Sequence, residues 1–292
     1  MPTNLKIGII GGSGMEDPTF ISDYSKEAVS TPYGDPSSEL ILGNIANTPV
    51  AILSRHGKSH SINPSNVNYQ ANIWSLKEKG CTHILATTAC GSLRKQIKPG
   101  HFVFPDQFID RTTKRISTYF DSSEVQHVSM GDPFSIGMRD CLVRACAKLG
   151  FAYHDSGTVV TIEGPRFSTK AESIMFRSWG CDIINMSTVP EVVLARELEL
   201  EYQSMAMSTD YDCWHEEEED VSVDSVLETL QKNTANVKRV LKHLIPRLGA
   251  MGDDVTSPVC DDALAHAIMT NPEIIPADIK EKLEPIIGRF LG

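Results

Sequence analysis

Two aspartates near residue 210 form the pattern in this sequence with the clearest chemical potential. Asp210 and Asp212 follow an apolar run that ends at Met207, and Cys213 and Trp214 come next. If the backbone stays extended, carboxylates at positions i and i+2 lie on the same side of the chain, and burial raises the pKa of at least one of them. Such a pair can protonate a leaving group. Two solvated loop aspartates are the alternative, and the apolar flanks make it the weaker one.

Three other segments carry groups that bind anions, and each follows a predicted strand. Arg55 and His56 supply a guanidinium fork and an imidazole that can hold a tetrahedral anion. The small residues 87–92 let the backbone approach a ligand closely. The glycine-rich turn 8–14 offers backbone N–H groups and the hydroxyl of Ser13, with a tight turn that needs positive φ as the alternative. Because ligands bind at the carboxyl ends of strands in open α/β sheets, we expect these segments to converge.

The same segments lack the motifs of other kinds of site. The turn at 8–14 fails the dinucleotide fingerprint, because Asp17 and Pro18 stand where a helix with a small residue is needed. Lys58 is not a P-loop lysine, because Ile52 replaces the earlier glycine. His56 and His60 are four residues apart, as in zinc helices, but a glycine lies between them and the usual glutamate is missing. The residues therefore predict no metal site.

Short β-branched runs alternate with longer helical segments, which predicts an α/β fold with a largely buried sheet. One amphipathic helix covers 138–149 and a longer one covers 223–244. No linker or internal repeat divides the 292 residues, so we expect a single domain over 1–292. The predicted strands are Leu5–Ile10, Leu40–Ile45, Val50–Leu53, His83–Thr87, Phe102–Ile109, Thr158–Ile162, Asp182–Met186 and Gln203–Ser208.

Charge and cysteine content weigh against several classes of protein. Acidic residues outnumber basic ones by 38 to 27, giving a net charge of −11, so we expect no nucleic-acid partner. The seven cysteines include no C-x-x-C pair and are expected to be reduced. The first apolar stretch is too short for a signal peptide or a membrane span, so we expect no membrane partner and a cytoplasmic location, with the nucleus as a second compartment.

Several longer segments, in order along the chain, carry a family signature. They are residues 8–14, 55–57, 68–74, 87–93, 106–112, 161–167, 185–186, 188–193 and 209–214. Together they resemble the methylthioadenosine phosphorylases, which belong to the trimeric branch of the purine nucleoside phosphorylase family. The resemblance runs from about residue 5 to residue 246, and a divergent helical tail, 249–292, shows no match.

This resemblance implies both a fold and a reaction. The fold would be one α/β domain whose central mixed β-sheet is flanked by helices, assembled as a homotrimer with active sites near the subunit contacts. The reaction would be phosphorolysis of S-methyl-5'-thioadenosine to adenine and 5-methylthioribose 1-phosphate, a step of purine and methionine salvage. Inorganic phosphate would be a co-substrate, with no metal and no organic cofactor.

The resemblance also implies a role for each matching residue. The phosphate would contact Ser13, Arg55, His56, Thr88 and Ser187. The nucleoside would contact Ala89, Phe167 and Met186, its adenine Asp210 and Asp212, its methylthio group Val223 and Val226, and His127 would come from the neighbouring subunit. Asp210 would be the catalytic acid. Ser13 and Ser187 stand where the family commonly has threonine, so we expect an effect on phosphate affinity rather than on the reaction.

Three other functions remain open at this stage. A 6-oxopurine nucleoside phosphorylase presents an asparagine to the base, so Asp210 argues against it. A hydrolase would use water in place of phosphate. A non-catalytic adenosine-binding protein on the same fold would have no need of Arg55 or of the hydroxyl groups around it.

Overall fold

The strands of the protein join in one mixed sheet. A computed structural model describes residues 5–11, 21–120, 124–215 and 223–290, with side chains except at 223–232, 253, 258 and 272. The strands are β1 Ile7–Gly11, β2 Ser22–Glu27, β3 Leu40–Ile45, β4 Thr48–Ser54, β5 His83–Ser92, β6 Phe102–Val103, β7 Gln107–Arg111, β8 Tyr153–His154, β9 Thr158–Ile162, β10 Ile183–Asn185 and β11 Glu201–Asp210. The helices are α1 Tyr69–Glu78, α2 Ile136–Leu149, α3 Lys170–Ser178, α4 Thr188–Glu197, α5 Val223–Met251, α6 Pro258–Asp261 and α7 Ala277–Ile287.

Strand β5 is the centre of the sheet and has three neighbours. Its first half pairs in parallel with β1 on one side and β11 on the other. Its last two residues pair in antiparallel fashion with β10, which leads outward to β9 and β7. Strands β4, β3 and β2 continue the sheet beyond β1. The sheet is therefore mixed, as expected, and β5 contacts each strand that carries the candidate site except β4.

Alternate residues of the inner strands pack against helices on the two faces of the sheet. On β1, Ile9 joins α2 and α5 in one cluster, whereas Ile10 joins α1, α4 and α7 in another. On β4, Ile52 and Leu53 divide in the same way. Side chains of successive strand residues point to opposite faces, so a run of apolar residues produces a sheet that is covered on both sides. This confirms the predicted fold class, a single α/β domain.

Two differences from the predicted elements have local physical reasons. The run 102–109 contains two strands rather than one, because Pro105 has no N–H to donate to a ladder. Strand β2 was not predicted, because its sequence Ser-Asp-Tyr-Ser-Lys-Glu is polar and nearly all exposed at the sheet edge. None of the helices in the described part of the chain is long and apolar enough to cross a membrane.

The C-terminal segment beyond residue 249 contains the helices α6 and α7 and packs on the body of the protein. Leu264, Leu283 and Ile287 are buried in the cluster that also holds α1 and α4. The N–H of Met269 donates to the carbonyl of Val125 at 2.8 Å, and the N–H of His127 donates to the carbonyl of Ala267 at 2.9 Å. The segment therefore supports the loop that carries His127.

Candidate active site

A cavity of about 400 Å³ lies where β4, β5, β10 and β11 end or turn. This volume falls within the ordinary range for small-ligand sites. Its lining includes nine of the residues predicted from the sequence, which are Arg55, His56, Thr88, Ala89, Phe167, Met186, Ser187, Asp210 and Asp212. Segments that are distant in sequence thus converge, as expected.

Four predicted residues are placed differently or lie outside the described part. Ser13 falls outside the described residues. Val223 and Val226 stand in the first turn of α5, and their side chains are outside the described part. His127 is exposed and is not among the residues that line the cavity.

Arg55 is held by a buried carboxylate that was not given a role from the sequence. Its Nε and Nη2 donate to Glu191 at 2.5 and 3.0 Å, and Nη1 donates to the carbonyl of Thr87 at 2.9 Å. Tyr202 donates its hydroxyl to the same carboxylate at 2.9 Å. Burial alone would lower the pKa of Arg55, but Glu191 raises it above its ordinary value, so the guanidinium is charged and the pair is neutral overall. The two-point contact that the Arg55 guanidinium was expected to make with an anion is therefore made with Glu191.

Arg55 still has donors to offer. Each Nη carries two N–H groups, of which one is used at Nη1 and one at Nη2, so one N–H remains on each. The sequence signal for Glu191 is a single acid in the otherwise apolar run Thr188–Ala195, where an unpaired carboxylate would be costly.

The ring of His56 is fixed by one neighbouring residue. Ile62 donates its N–H to the carbonyl of His56 at 3.0 Å, and Nδ1 of His56 lies 3.0 Å from the carbonyl of Ile62. Burial, together with the charge of Arg55, lowers the pKa of His56 to about 4. The imidazole is therefore neutral near pH 7.

Two predicted phosphate residues are in direct contact. Strand β10 runs antiparallel to β5. The chain after Asn185 continues in that direction beside β5, and this brings Ser187 next to Thr88. Their hydroxyl oxygens are 2.8 Å apart. Asn185 fixes this turn, because its Oδ1 accepts from Thr161 at 3.0 Å and its Nδ2 donates to Thr188 at 2.7 Å. Two hydroxyl groups are thus presented beside Arg55 in the same cavity.

The two aspartates are arranged by an irregular backbone instead of the extended one that was expected. A bulge interrupts the pairing of β11 with β5 between Ser208 and Asp210, and Asp212 has a left-handed φ of 50°. The N–H of Asp212 donates to Oδ1 of Asp210 at 2.7 Å. Both carboxylates line the cavity, so the expected convergence holds although its geometric basis was wrong.

Burial governs the protonation of this pair. Burial raises the pKa of Asp210, the charge of Asp212 adds to the effect, and hydrogen bonds from Thr209 and the Asp212 N–H oppose it. Burial also raises the pKa of Asp212. The Thr209 hydroxyl lies 2.6 Å from Oδ2 of Asp210 and 3.2 Å from the carbonyl of Cys90. If Thr209 donates to that carbonyl, its oxygen can accept a hydrogen bond from the protonated carboxyl group of Asp210, so the surroundings accommodate the acid form.

Gly91 lets the aspartates approach β5, whereas the sequence predicted only that the small residues 87–92 would approach a ligand. A Cβ at this position would lie 2.9 Å from Oδ1 of Asp210 and 3.0 Å from Cγ2 of Ile184. Distances this short between a Cβ and neighbouring atoms require a shift of the structure. The signal in the sequence is a glycine inside a strand, which is typical of close backbone approach.

Phe167 and Met186 give the cavity an apolar wall. The ring of Phe167 is 45% exposed and belongs to the segment between β9 and α3. Arg166 forms a two-point ion pair with Glu172 at 2.7 and 2.6 Å, and Glu172 also completes a capping box with Thr169. The segment that holds Phe167 is thereby braced against α3.

Comparison with known proteins places this geometry in a family. The profile of the phosphorylase superfamily matches residues 6–246. The S-methyl-5'-thioadenosine phosphorylase of Danio rerio is 54% identical, over 87% of this chain and 92% of its own. Among solved structures, a methylthioadenosine phosphorylase from an antarctic soil metagenomic library superposes with a TM-score of 0.90 at 39% identity, over 97% and 98% of the two chains. A variant of the adenosine/methylthioadenosine phosphorylase of Schistosoma mansoni, in complex with methylthioadenosine, gives 0.85 at 40% identity, over 91% and 99%.

Proposed function

The chain belongs to the phosphorylase superfamily, and from its similarity to the named relatives we infer that it catalyses the phosphorolysis of S-methyl-5'-thioadenosine. The products are adenine and 5-methylthioribose 1-phosphate. The observation that carries this inference is that one cavity holds both the anion-binding groups of Arg55, Thr88 and Ser187 and the buried carboxyl group of Asp210. The relatives that are named for this activity match nearly the whole chain.

The arrangement along β5 suits a nucleoside that lies between two ends of the cavity. On β5, Thr88 contacts Ser187, and Gly91, three residues later, is paired with Asp210. Three strand residues span roughly 10 Å, which leaves room for a ribose between the anion and the base. We call the part at Arg55, His56, Thr88 and Ser187 the phosphate end, and the part at Gly91, Asp210 and Asp212 the base end.

The residues of the two ends match the charges that develop during the reaction. Cleavage of an N-glycosidic bond leaves positive charge on the sugar and negative charge on the purine. Asp210, kept protonated by burial, donates to N7 of adenine as general acid, and Asp212 accepts from the exocyclic amine. The phosphate at the other end is the nucleophile, and its charge favours the oxocarbenium ion. Ala89, Phe167 and Met186 hold the nucleoside between the ends.

The remaining roles complete the proposal. Ser13 joins the phosphate end, and Val223 and Val226 at the start of α5 contact the methylthio group. The protein acts as a homotrimer in which His127 reaches the site of a neighbouring subunit; the exposure of His127 and its support by the C-terminal segment are consistent with this. Inorganic phosphate is a co-substrate, with no metal or organic cofactor. The protein works in the cytoplasm, with the nucleus as a second compartment, and has no nucleic-acid or membrane partner.

The test is the release of adenine from methylthioadenosine with and without phosphate. We expect release to require phosphate and to be accompanied by 5-methylthioribose 1-phosphate. Equal release in phosphate-free buffer, with free methylthioribose as the second product, would instead identify a hydrolase.

A further inference from the structure

The contact between His56 and Ile62 determines which ring nitrogen carries the proton. A carbonyl oxygen accepts hydrogen bonds and has no hydrogen to donate, so Nδ1 of His56, 3.0 Å from the carbonyl of Ile62, must be the donor. In a neutral imidazole the other nitrogen then has a lone pair and accepts. Nε2 of His56 is therefore an acceptor, and the ring lines the cavity.

The surroundings of His56 keep the ring in this neutral form. Burial is the main reason why the pKa of the ring is lowered, and the charged and titratable groups Arg55, His60 and Arg115 add to its effect. The ring of His60 is 4.5 Å from that of His56, centroid to centroid. All of these oppose a positive charge, whereas the Ile62 carbonyl favours one. For Nε2 to become a donor, the ring would have to take up a proton, and burial and the neighbouring groups disfavour that positive charge.

We propose that His56 is a specificity residue that accepts a hydrogen bond from the bound anion, so that the phosphate end selects an oxyanion that carries a hydrogen. Hydrogen phosphate and hydrogen arsenate have a hydroxyl group to donate, while sulfate at neutral pH has none. The spare N–H groups of Arg55 only donate and do not distinguish these anions, and the hydroxyls of Thr88 and Ser187 can rotate to suit either anion. This inference rests on the proposed function, because it assumes that phosphate binds at this end.

The energetic consequence is discrimination against sulfate. A sulfate oxygen that faces Nε2 meets a lone pair, and an unsatisfied buried polar contact weakens binding by roughly 5- to 150-fold. Alternatively, His56 takes up a proton when sulfate binds. In that case sulfate affinity falls by about tenfold for each unit rise in pH above the pKa of His56, because the required proton becomes scarcer. Hydrogen phosphate needs no such proton.

Two substitutions separate the two ring nitrogens. In His56→Gln the side-chain amide reaches the position of Nε2 and can donate to any anion. In His56→Asn the shorter amide can still donate to the carbonyl of Ile62 but does not reach the anion. The experiment measures the Ki of sulfate against phosphate in the adenine-release assay, with arsenate as a hydrogen-bearing alternative substrate, across the neutral pH range. Calorimetry of sulfate binding in two buffers of different ionisation enthalpy counts the protons taken up.

In the parent protein we expect sulfate to bind at least about tenfold more weakly than phosphate, with between zero and about one proton taken up for each sulfate that binds, depending on which of the two routes operates. Arsenate should support adenine release as phosphate does. His56→Gln should remove most of the discrimination and the proton uptake, whereas His56→Asn should weaken phosphate without strengthening sulfate.

Sulfate that binds the parent as tightly as phosphate, independently of pH, would overturn the proposal, and so would unchanged discrimination in His56→Gln. In both cases adenine release would still depend on phosphate, so the proposed function would stand. Release without phosphate would overturn both.

Discussion

The two ends of the cavity are built in opposite ways. At the phosphate end, the charge of Arg55 is cancelled by Glu191 and the side chains lie on regular elements or close to their ends. At the base end, two carboxylates have no ion-pair partner among the described residues, and a bulge, a left-handed residue and a glycine are needed to position them. An incoming anion thus meets an arginine whose charge is already balanced, whereas burial raises the pKa of Asp210 and favours its acid form. One end is prepared to receive charge and the other to release a proton.

Asp210→Asn tests the chemical part of this contrast and should have the largest effect. Asparagine can donate a hydrogen bond but cannot transfer a proton, so we expect a loss of about 10²- to 10⁴-fold in kcat with methylthioadenosine. Inosine, whose base presents a carbonyl at C6, should gain relative to methylthioadenosine. The measurement is the ratio of kcat/KM for the two nucleosides, with Asp212→Asn as the matched control. An unchanged ratio in a well-folded variant would move the acid to Asp212.

Glu191→Gln tests the claim that charge is cancelled at the phosphate end. The substitution leaves a buried guanidinium without its counter-charge, so we expect the free energy of unfolding to fall by about 3 kcal/mol. Phosphate should then supply the missing negative charge and raise the Tm of the variant more than that of the parent. The matched control is Glu197→Gln on the same helix, since Glu197 is bonded to Thr118 and Tyr119 rather than to an arginine. Equal phosphate-induced shifts in parent and variant would show that Arg55 does not face the anion.

Gly91→Ala tests the geometric part of the contrast. The added Cβ would push against Asp210 and Ile184, and misplacement of the acid should lower kcat by about tenfold with little change in the KM for phosphate. Gly131→Ala is the control, because a Cβ there meets no atom within 4 Å and the residue has no positive φ. A kcat that matches the control would mean that the base end tolerates the extra methyl group.

Ser187→Ala should give the smallest effect and should be confined to the phosphate end. The substitution removes a hydroxyl group that lines the cavity and forms a hydrogen bond with Thr88. We expect this to weaken phosphate binding by about 1 kcal/mol, which is roughly fivefold in the KM for phosphate. Discrimination between methylthioadenosine and inosine should not change. A shift in that discrimination would show that the two ends are not independent.

The sequence predicted most of the fold, and nine of the residues that line the cavity, for a local reason. Apolar strands and polar strand ends are visible in short segments, so β3 and β9 were predicted to the residue, and residues such as Arg55 and Thr88 were recognised as potential ligands. The edge strand β2 has no apolar alternation, and its pairing is fixed by β3 rather than by its own residues.

What the sequence did not reveal depends on partners far along the chain. Glu191 is 136 residues from Arg55, and Gly91 is more than 100 residues from Asp210, so neither role is visible before the strands are aligned. The tautomer of His56 depends on a single carbonyl, that of Ile62, in a loop with no regular pattern. Ion-pair partners, close approaches and proton positions are properties of the assembled site.

The most direct measurement of the central claim is a crystal structure of the protein with adenine and inorganic phosphate bound together. We expect the phosphate within hydrogen-bond distance of Thr88, Ser187 and Arg55. Adenine N7 should lie about 2.7–3.2 Å from the carboxyl group of Asp210. An anion bound beside Asp210, or adenine bound against Arg55, would contradict the assignment of the two ends.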